Sequence, residues 1–138
     1  IPLSIQSHGG PKQAYQLGRA LVPLADQGFL TIASGNLTHN LRDYQRATLD
    51  GGRTPAYVRE FADWLAAQTT AGNLPALLDY RRQAPAGAQA HPSEEHLLPF
   101  HVALGAGGEN ARTTRFHAGI DDCVIAMDAY AFEQGEPQ

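Results

Sequence analysis

Phe29-Leu30-Thr31-Ile32-Ala33 runs directly into Ser34-Gly35-Asn36-Leu37-Thr38-His39-Asn40-Leu41. The first five residues are apolar, rich in β-formers and too few for a helix, and glycines bound them, so they predict an interior strand. Upstream, Pro2 to Gln6 reads as a second short strand. Between the two, Tyr15, Leu17, Ala20, Leu21 and Leu24 recur at three- and four-residue spacing, which predicts an amphipathic helix. Pro11 suits its first turn, where a missing N–H costs nothing, and Gly28 suits its stop. Strand, helix, strand is a βαβ unit, which needs a right-handed crossover and a mostly parallel sheet. The expected fold class is therefore α/β, three-layered, with a parallel or mixed sheet flanked by helices. Ligands in such sheets sit beyond the carboxyl ends of strands, and Ser34 to Asn40 occupy that position.

Further along, Tyr57, Val58, Phe61, Trp64 and Leu65 describe a second amphipathic helix from Thr54-Pro55 to Thr70, with Thr54 as N-cap, Pro55 at N1 and Gly72 near the end. A shorter helix is expected over Pro75 to Arg82, then a loop of Ala, Pro, Gly and Gln from Gln83 to Ala90. Ser93 to Ala106 is helical with a complication at Pro99, which cannot donate to the carbonyl four residues back. Either Ser93 caps a helix kinked at Pro99, or a first turn holds Glu95 and His96 and a new helix begins near Pro99. Cys123 to Phe132 alternates enough for a closing strand, Asp121-Asp122 reads as a turn, and residues from Glu133 onward are expected to fray. No internal repeat is visible.

With 138 residues and 43% hydrophobic content, the chain suffices for one core burying roughly two-thirds of its unfolded surface. Ten basic residues against fourteen acidic ones, scattered without aromatic interleaving, argue against nucleic acid as a partner. A single cysteine, Cys123, excludes both a disulfide framework and a thiolate zinc site within one chain, and a reducing, cytoplasmic setting fits best. No apolar run approaches the ~18 residues of a membrane span. The chain opens at Ile1 without methionine, which raises the expectation of a piece of a longer polypeptide or one of two chains. There is no Gly-x-Ser-x-Gly elbow, no Walker glycine loop and no His-Glu-x-x-His pair.

The histidines are the remaining chemistry. His39 follows the strand through Ser34-Gly35-Asn36, where a glycine lets backbone turn sharply, and its imidazole can either exchange a proton near neutral pH or simply bond its own loop. Asn36 and Asn40 carry the same two options, as contacts to a ligand or as turn formers. His96 shares a turn with Glu94 and Glu95 and has His91 five residues earlier. Nitrogen and oxygen donors together suit a divalent metal, although acids at a helix start also simply complement the dipole. His101 falls on a different face, among Phe100, Val102 and Leu104, as a satisfied core histidine; His8 and His117 read as surface.

Two segments, Ser34-Gly35-Asn36-Leu37-Thr38-His39-Asn40-Leu41-Arg42 and His91-Pro92-Ser93-Glu94-Glu95-His96-Leu97-Leu98-Pro99, the second continuing as His101-Val102-Ala103-Leu104-Gly105-Ala106, stand in the order and spacing of one family. From Pro2 to about Phe132 the chain resembles the C-terminal half of class III extradiol ring-cleaving dioxygenases of the DOPA 4,5-dioxygenase type. The resemblance implies that residues 1–138 are that half of a larger domain, acting on a catechol-type aromatic with O2 and non-haem Fe(II), zinc also being found in the family. By motif, His39 resembles the acid/base histidine, His96 resembles the last of three histidine metal ligands, and Asn36, Thr38 and Asn40 shape the substrate mouth. Glu95 competes with His96, since protocatechuate-type relatives end their ligand set with glutamate. Nothing in this chain matches the other two ligands, so a second chain or a missing N-terminal half is implied as the supplier. A non-catalytic aromatic- or protein-binding module on the same fold is the alternative.

Overall fold

The computed structural model describes residues 1–135. The first helix forms where its periodicity predicts, as α1 (Gly10–Ala25), with Pro11 in its first turn and Gly28 in the left-handed region just beyond it. Its buried face is unusually small in side chain, with Ala14 and Gly18 facing α7 (Leu98–Ala106). A Cβ on Gly18 would stand 2.0 Å from the Val102 carbonyl oxygen, and one on Gly105 would stand 2.2 Å from that of Tyr15. Backbone thus meets backbone at this crossing, and Ala14, Leu98 and Val102 close a small core around it.

Between them the chain forms α2 (Leu41–Leu49), α3 (Ala56–Thr70), α4 (Leu74–Leu78), α5 (Tyr80–Gln83) and α6 (Gly87–Ala90). Helix α3 carries the main core: Val58, Phe61 and Leu65 are fully buried against Leu77, Tyr80, Leu97 and Val124. Each such side chain contributes roughly 1.5–3 kcal/mol of burial. The helix expected over 75–82 is interrupted at Asp79, and the expected loop 83–90 ends in the single turn of α6. At Pro99 the second of the two readings holds, with α7 starting at Leu98 and His96 in the turn before it.

Among the described residues four strands follow: β1 (Arg112–His117), β2 (Ile120–Asp121), β3 (Ile125–Ala126) and β4 (Ala129–Glu133), paired antiparallel as β1 with β4 and β2 with β3. Arg115 of β1 donates to the buried carboxylate of Asp128, which fixes the start of β4. The closing strand is therefore present in two pieces, β3 and β4, separated at Met127 and Asp128, while the turn in which Asp122 and Cys123 take positive φ joins β2 to β3. The fraying expected from Glu133 onward falls partly on residues 136–138, outside the described residues, while Glu133 itself ends β4.

The helix-plus-sheet class matches the α/β expectation, and two strand assignments need correction. Residues 2–6 and 29–33 form no ladder, and the sheets that do form are antiparallel. A strand is a pairing, and neither segment is paired in a ladder among the described residues. Leu30 and Ile32 are 83% and 82% exposed, and Phe29 is 51% exposed. No helix of the described residues is long and apolar enough to cross a membrane.

His91 and His101 are both fully buried, and burial pushes each imidazole down to about 4 from an ordinary 6.5. Both bind a proton more readily in the unfolded chain, so their contribution to stability is intact above about pH 6.5 and is lost as pH falls toward 4. Urea unfolding between pH 7 and 4 is expected to show a loss of a few kcal/mol, and His101→Gln should flatten that slope. Gly105→Ala provides a second check. A helix interior ordinarily gains about 0.5–1 kcal/mol from this change, but here overpacking against fixed backbone should give a net loss of about 2 kcal/mol.

Candidate active site

Loop 34–40 has no regular structure, and its placement is set by what it touches. Gly35 is needed for closeness, since a Cβ there would fall 2.3 Å from the His96 carbonyl oxygen and 3.1 Å from Pro99. That approach lets the Asn36 N–H donate to the His96 carbonyl at 2.9 Å. The Leu37 N–H donates to Ala126 in β3 at 3.0 Å, and the His39 N–H donates to Ala90 at the end of α6 at 2.8 Å. The loop is thereby tied to two distant parts of the chain, and His39 and His96 arrive side by side.

Their imidazoles stack, with ring centroids 3.6 Å apart and planes inclined by 23°. Both side chains are partly exposed, and among the described residues neither ring has a hydrogen-bond partner. Glu95 Oε1 lies 3.9 Å from His96 Nε2 and accepts from the Ser93 hydroxyl at 2.8 Å. Its own backbone N–H and Ser93 hold the Glu95 carboxyl below the usual range. Burial, then the neighbouring His96 charge, lower the His39 pKa, against smaller opposing effects of Glu95 and a backbone hydrogen bond. Two stacked imidazoles resist carrying two charges, so His39 is neutral near pH 7 and ready to accept a proton.

His96 lines an open cleft of about 870 Å³, walled by Phe100, Met127, Tyr130 and Phe132 and rimmed by Phe29 and Leu30. His39 is not in its lining; it adjoins the cleft through His96. Asn36 faces the cleft, its amide 3.7 Å from the Met127 sulfur. Thr38 and Asn40, expected at a substrate mouth, have their polar groups engaged by the protein. The Thr38 hydroxyl donates to the Val124 carbonyl and accepts from the Ala126 N–H, both at 2.7 Å. Asn40 caps α2 by accepting from the Arg42 and Asp43 N–H groups, while its amide donates to Gln89 and Asp43. An Asn followed three residues later by an acid, before an apolar-periodic run, is a helix-start pattern that identifies the cap from sequence.

Two further members have no assignment from sequence. Asp43, on the buried face of α2, accepts from Gln89 Nε2 at 2.9 Å and links the cap to α6. His91 lies buried behind the pair. For a metal, the chain offers the His96 imidazole at the cleft and, 3.9 Å from its Nε2, the Glu95 carboxylate, which is not in the cleft lining; nitrogen and oxygen donors together suit a divalent ion. Among the described residues no three His, Cys, Asp or Glu side chains gather as a full set.

Comparison with known proteins gives the family. Residues 1–121 match the family described as the catalytic LigB subunit of aromatic ring-opening dioxygenase. The 4,5-DOPA dioxygenase extradiol of Beta vulgaris is 37% identical over 130 residues, covering 94% of this chain and 47% of that protein. Its namesakes from Portulaca grandiflora and Escherichia coli K12 are 34% and 31% identical, each again covered over 47% of its length. The crystal structure of an uncharacterized Escherichia coli K12 protein superposes with a TM-score of 0.78 at 26% identity, covering 93% of this chain and 53% of that one. The chain spans about half the length of the curated relatives it matches. Matched over most of its residues, this chain belongs to the family of the catalytic LigB subunit of aromatic ring-opening dioxygenases.

Proposed function

We propose that this chain is the C-terminal half of an extradiol ring-cleaving dioxygenase for a catechol-type aromatic, supplying the acid/base histidine and one metal ligand. The observation that carries the reading is the meeting of His39 and His96 at the edge of an apolar cleft. His96 would hold the metal through a ring nitrogen, with Glu95 as the competing donor, and the remaining two histidine ligands would come from a missing N-terminal half or a second chain. Fe(II) is the cofactor proposed, with Zn(II) as an ion the same donors could bind. When bound, such an ion would supply a Lewis-acid centre with open positions for a catechol and for O2.

The residues of this chain do the rest. Phe100, Tyr130 and Phe132 offer an apolar wall for the ring and exclude water from it. Holding reactants in one geometry is worth up to roughly 7–11 kcal/mol in well-aligned cases. His39, neutral near pH 7, takes the proton of a catechol hydroxyl and returns it to the opened product; such transfer contributes typically ~10²–10⁴-fold. Asn36 is the one member of the expected substrate set whose amide faces the cleft, while Thr38 and Asn40 act by holding the loop. A reducing, cytoplasmic setting with no nucleic-acid or membrane partner belongs to the same reading. The lack of a three-donor cluster among the described residues favours one other reading, a non-catalytic aromatic- or protein-binding module.

Oxygen uptake with a catechol after anaerobic Fe(II) loading tests the choice. The 138-residue chain alone should be inactive, because open catalytic metal sites need about three protein ligands. Joined to a half that supplies two histidines, it should turn over; there His39→Ala should lower turnover ~10²-fold or more with metal content nearly intact, and His96→Ala should deplete the metal. The reverse pattern, or a joined enzyme that binds catechol without consuming oxygen, would overturn the dioxygenase reading.

A further inference from the structure

Behind the stacked pair stands a side chain that the proposed chemistry does not use. His91 is fully buried, and its Nε2 lies 2.6 Å from the Leu37 carbonyl oxygen. A carbonyl only accepts, so the ring must carry its hydrogen on Nε2. Its Nδ1 is then bare, buried and without a partner. The ring meets Phe61 and Tyr80 edge-on, at centroid distances of 5.7 and 5.9 Å, which leaves it no room to swing. Its main chain is fixed too: Arg81 Nη1 donates to the His91 carbonyl at 2.7 Å.

Location decides what this bond does. Leu37 precedes His39 by two residues, and His91 precedes His96 by five, so one imidazole bridges the roots of both segments. Of the other hydrogen bonds between those stretches, Asn36 to His96 and His39 to Ala90 join backbone to backbone, while the side-chain bonds of Asn40 and Asp43 to Gln89 lie further on, at the start of α2. A residue that only filled the core would be apolar and would leave no orphaned nitrogen beside Phe61 and Tyr80.

We propose that His91 is a positioning residue for the His39–His96 pair, its Nε2–H holding the Leu37 carbonyl so that the two imidazoles stay stacked. Calling the pair a catalytic site rests on the dioxygenase reading, whereas the clamp itself is a property of this chain without metal or substrate. Any ring-cleaving reaction at the pair would depend on it, because His39 keeps its place relative to His96 only while loop 34–40 is held.

The test uses the metal-free 138-residue chain, so its outcome is separate from the presence or absence of oxygenase activity. Long-range proton–nitrogen NMR on histidine-labelled protein should show His91 protonated at Nε2, and the His39 and His96 ring protons should cross-relax. His91→Gln places an amide N–H at the same reach and should keep those cross-peaks. His91→Leu fills the space without a donor and should lose them, while Phe61 and Tyr80 resonances and a cooperative melt persist. An Nδ1–H tautomer in the unsubstituted chain, undiminished cross-peaks in His91→Leu, or their loss in a folded His91→Gln would each overturn the assignment. Should His91→Leu fail to fold, the tautomer and the Gln variant still decide.

Discussion

Residues 36–39 have no helix or ladder of their own, yet they are largely buried, and buried N–H and C=O groups must be paired. Every partner they find lies far away in sequence: Ala126 and Val124 for Leu37 and Thr38, Ala90 for His39, and the His96 carbonyl for Asn36. Each bond left unmade there would cost about 1–3 kcal/mol. That obligation makes three parts of the chain converge, and the site is where they do so. Gly35 permits the convergence by having no Cβ to collide with His96.

Chemistry follows from the same constraint. Because the backbone of one loop is tied to the turn before α7, two imidazoles are held face to face instead of being free to avoid each other. One charge on the pair is tolerable and two are not, which fits the proposed division of labour, in which the inner ring, lowered in pKa by burial and by its neighbour, would act as base and the ring that lines the cleft would hold the cation. On the same reading, the apolar wall of Phe100, Tyr130 and Phe132 would give a flat aromatic molecule a place beside that donor.

Much of this was legible in the residues, and the failures share a cause. Helices α1 and α3 declare themselves by spacing because a helix satisfies its own backbone, while Pro99 left two readings open, of which its place in the first turn of α7 selects one. Residues 29–33 have strand composition, but a strand exists only with a neighbour, and that is not written in the segment itself. Strand β1 went unread because Arg112, Thr114 and Arg115 resemble surface; its partner β4 makes it a strand. Thr38 and Asn40 look like substrate contacts because they are polar beside a histidine, yet their side chains turn inward to Val124 and to the start of α2. Sequence marked which residues crowd the site and could not give their direction, whereas the meeting of positions 39 and 96 followed from two motifs read together.

Anomalous scattering from crystals of this chain, joined to the residues that complete the donor set and loaded with iron or zinc, most directly tests the division of labour. The expected peak lies about 2.0–2.1 Å from a His96 ring nitrogen, with the His39 imidazole adjacent and unbonded to it. A metal bonded to His39 in place of His96, or seated away from both rings, would contradict the account.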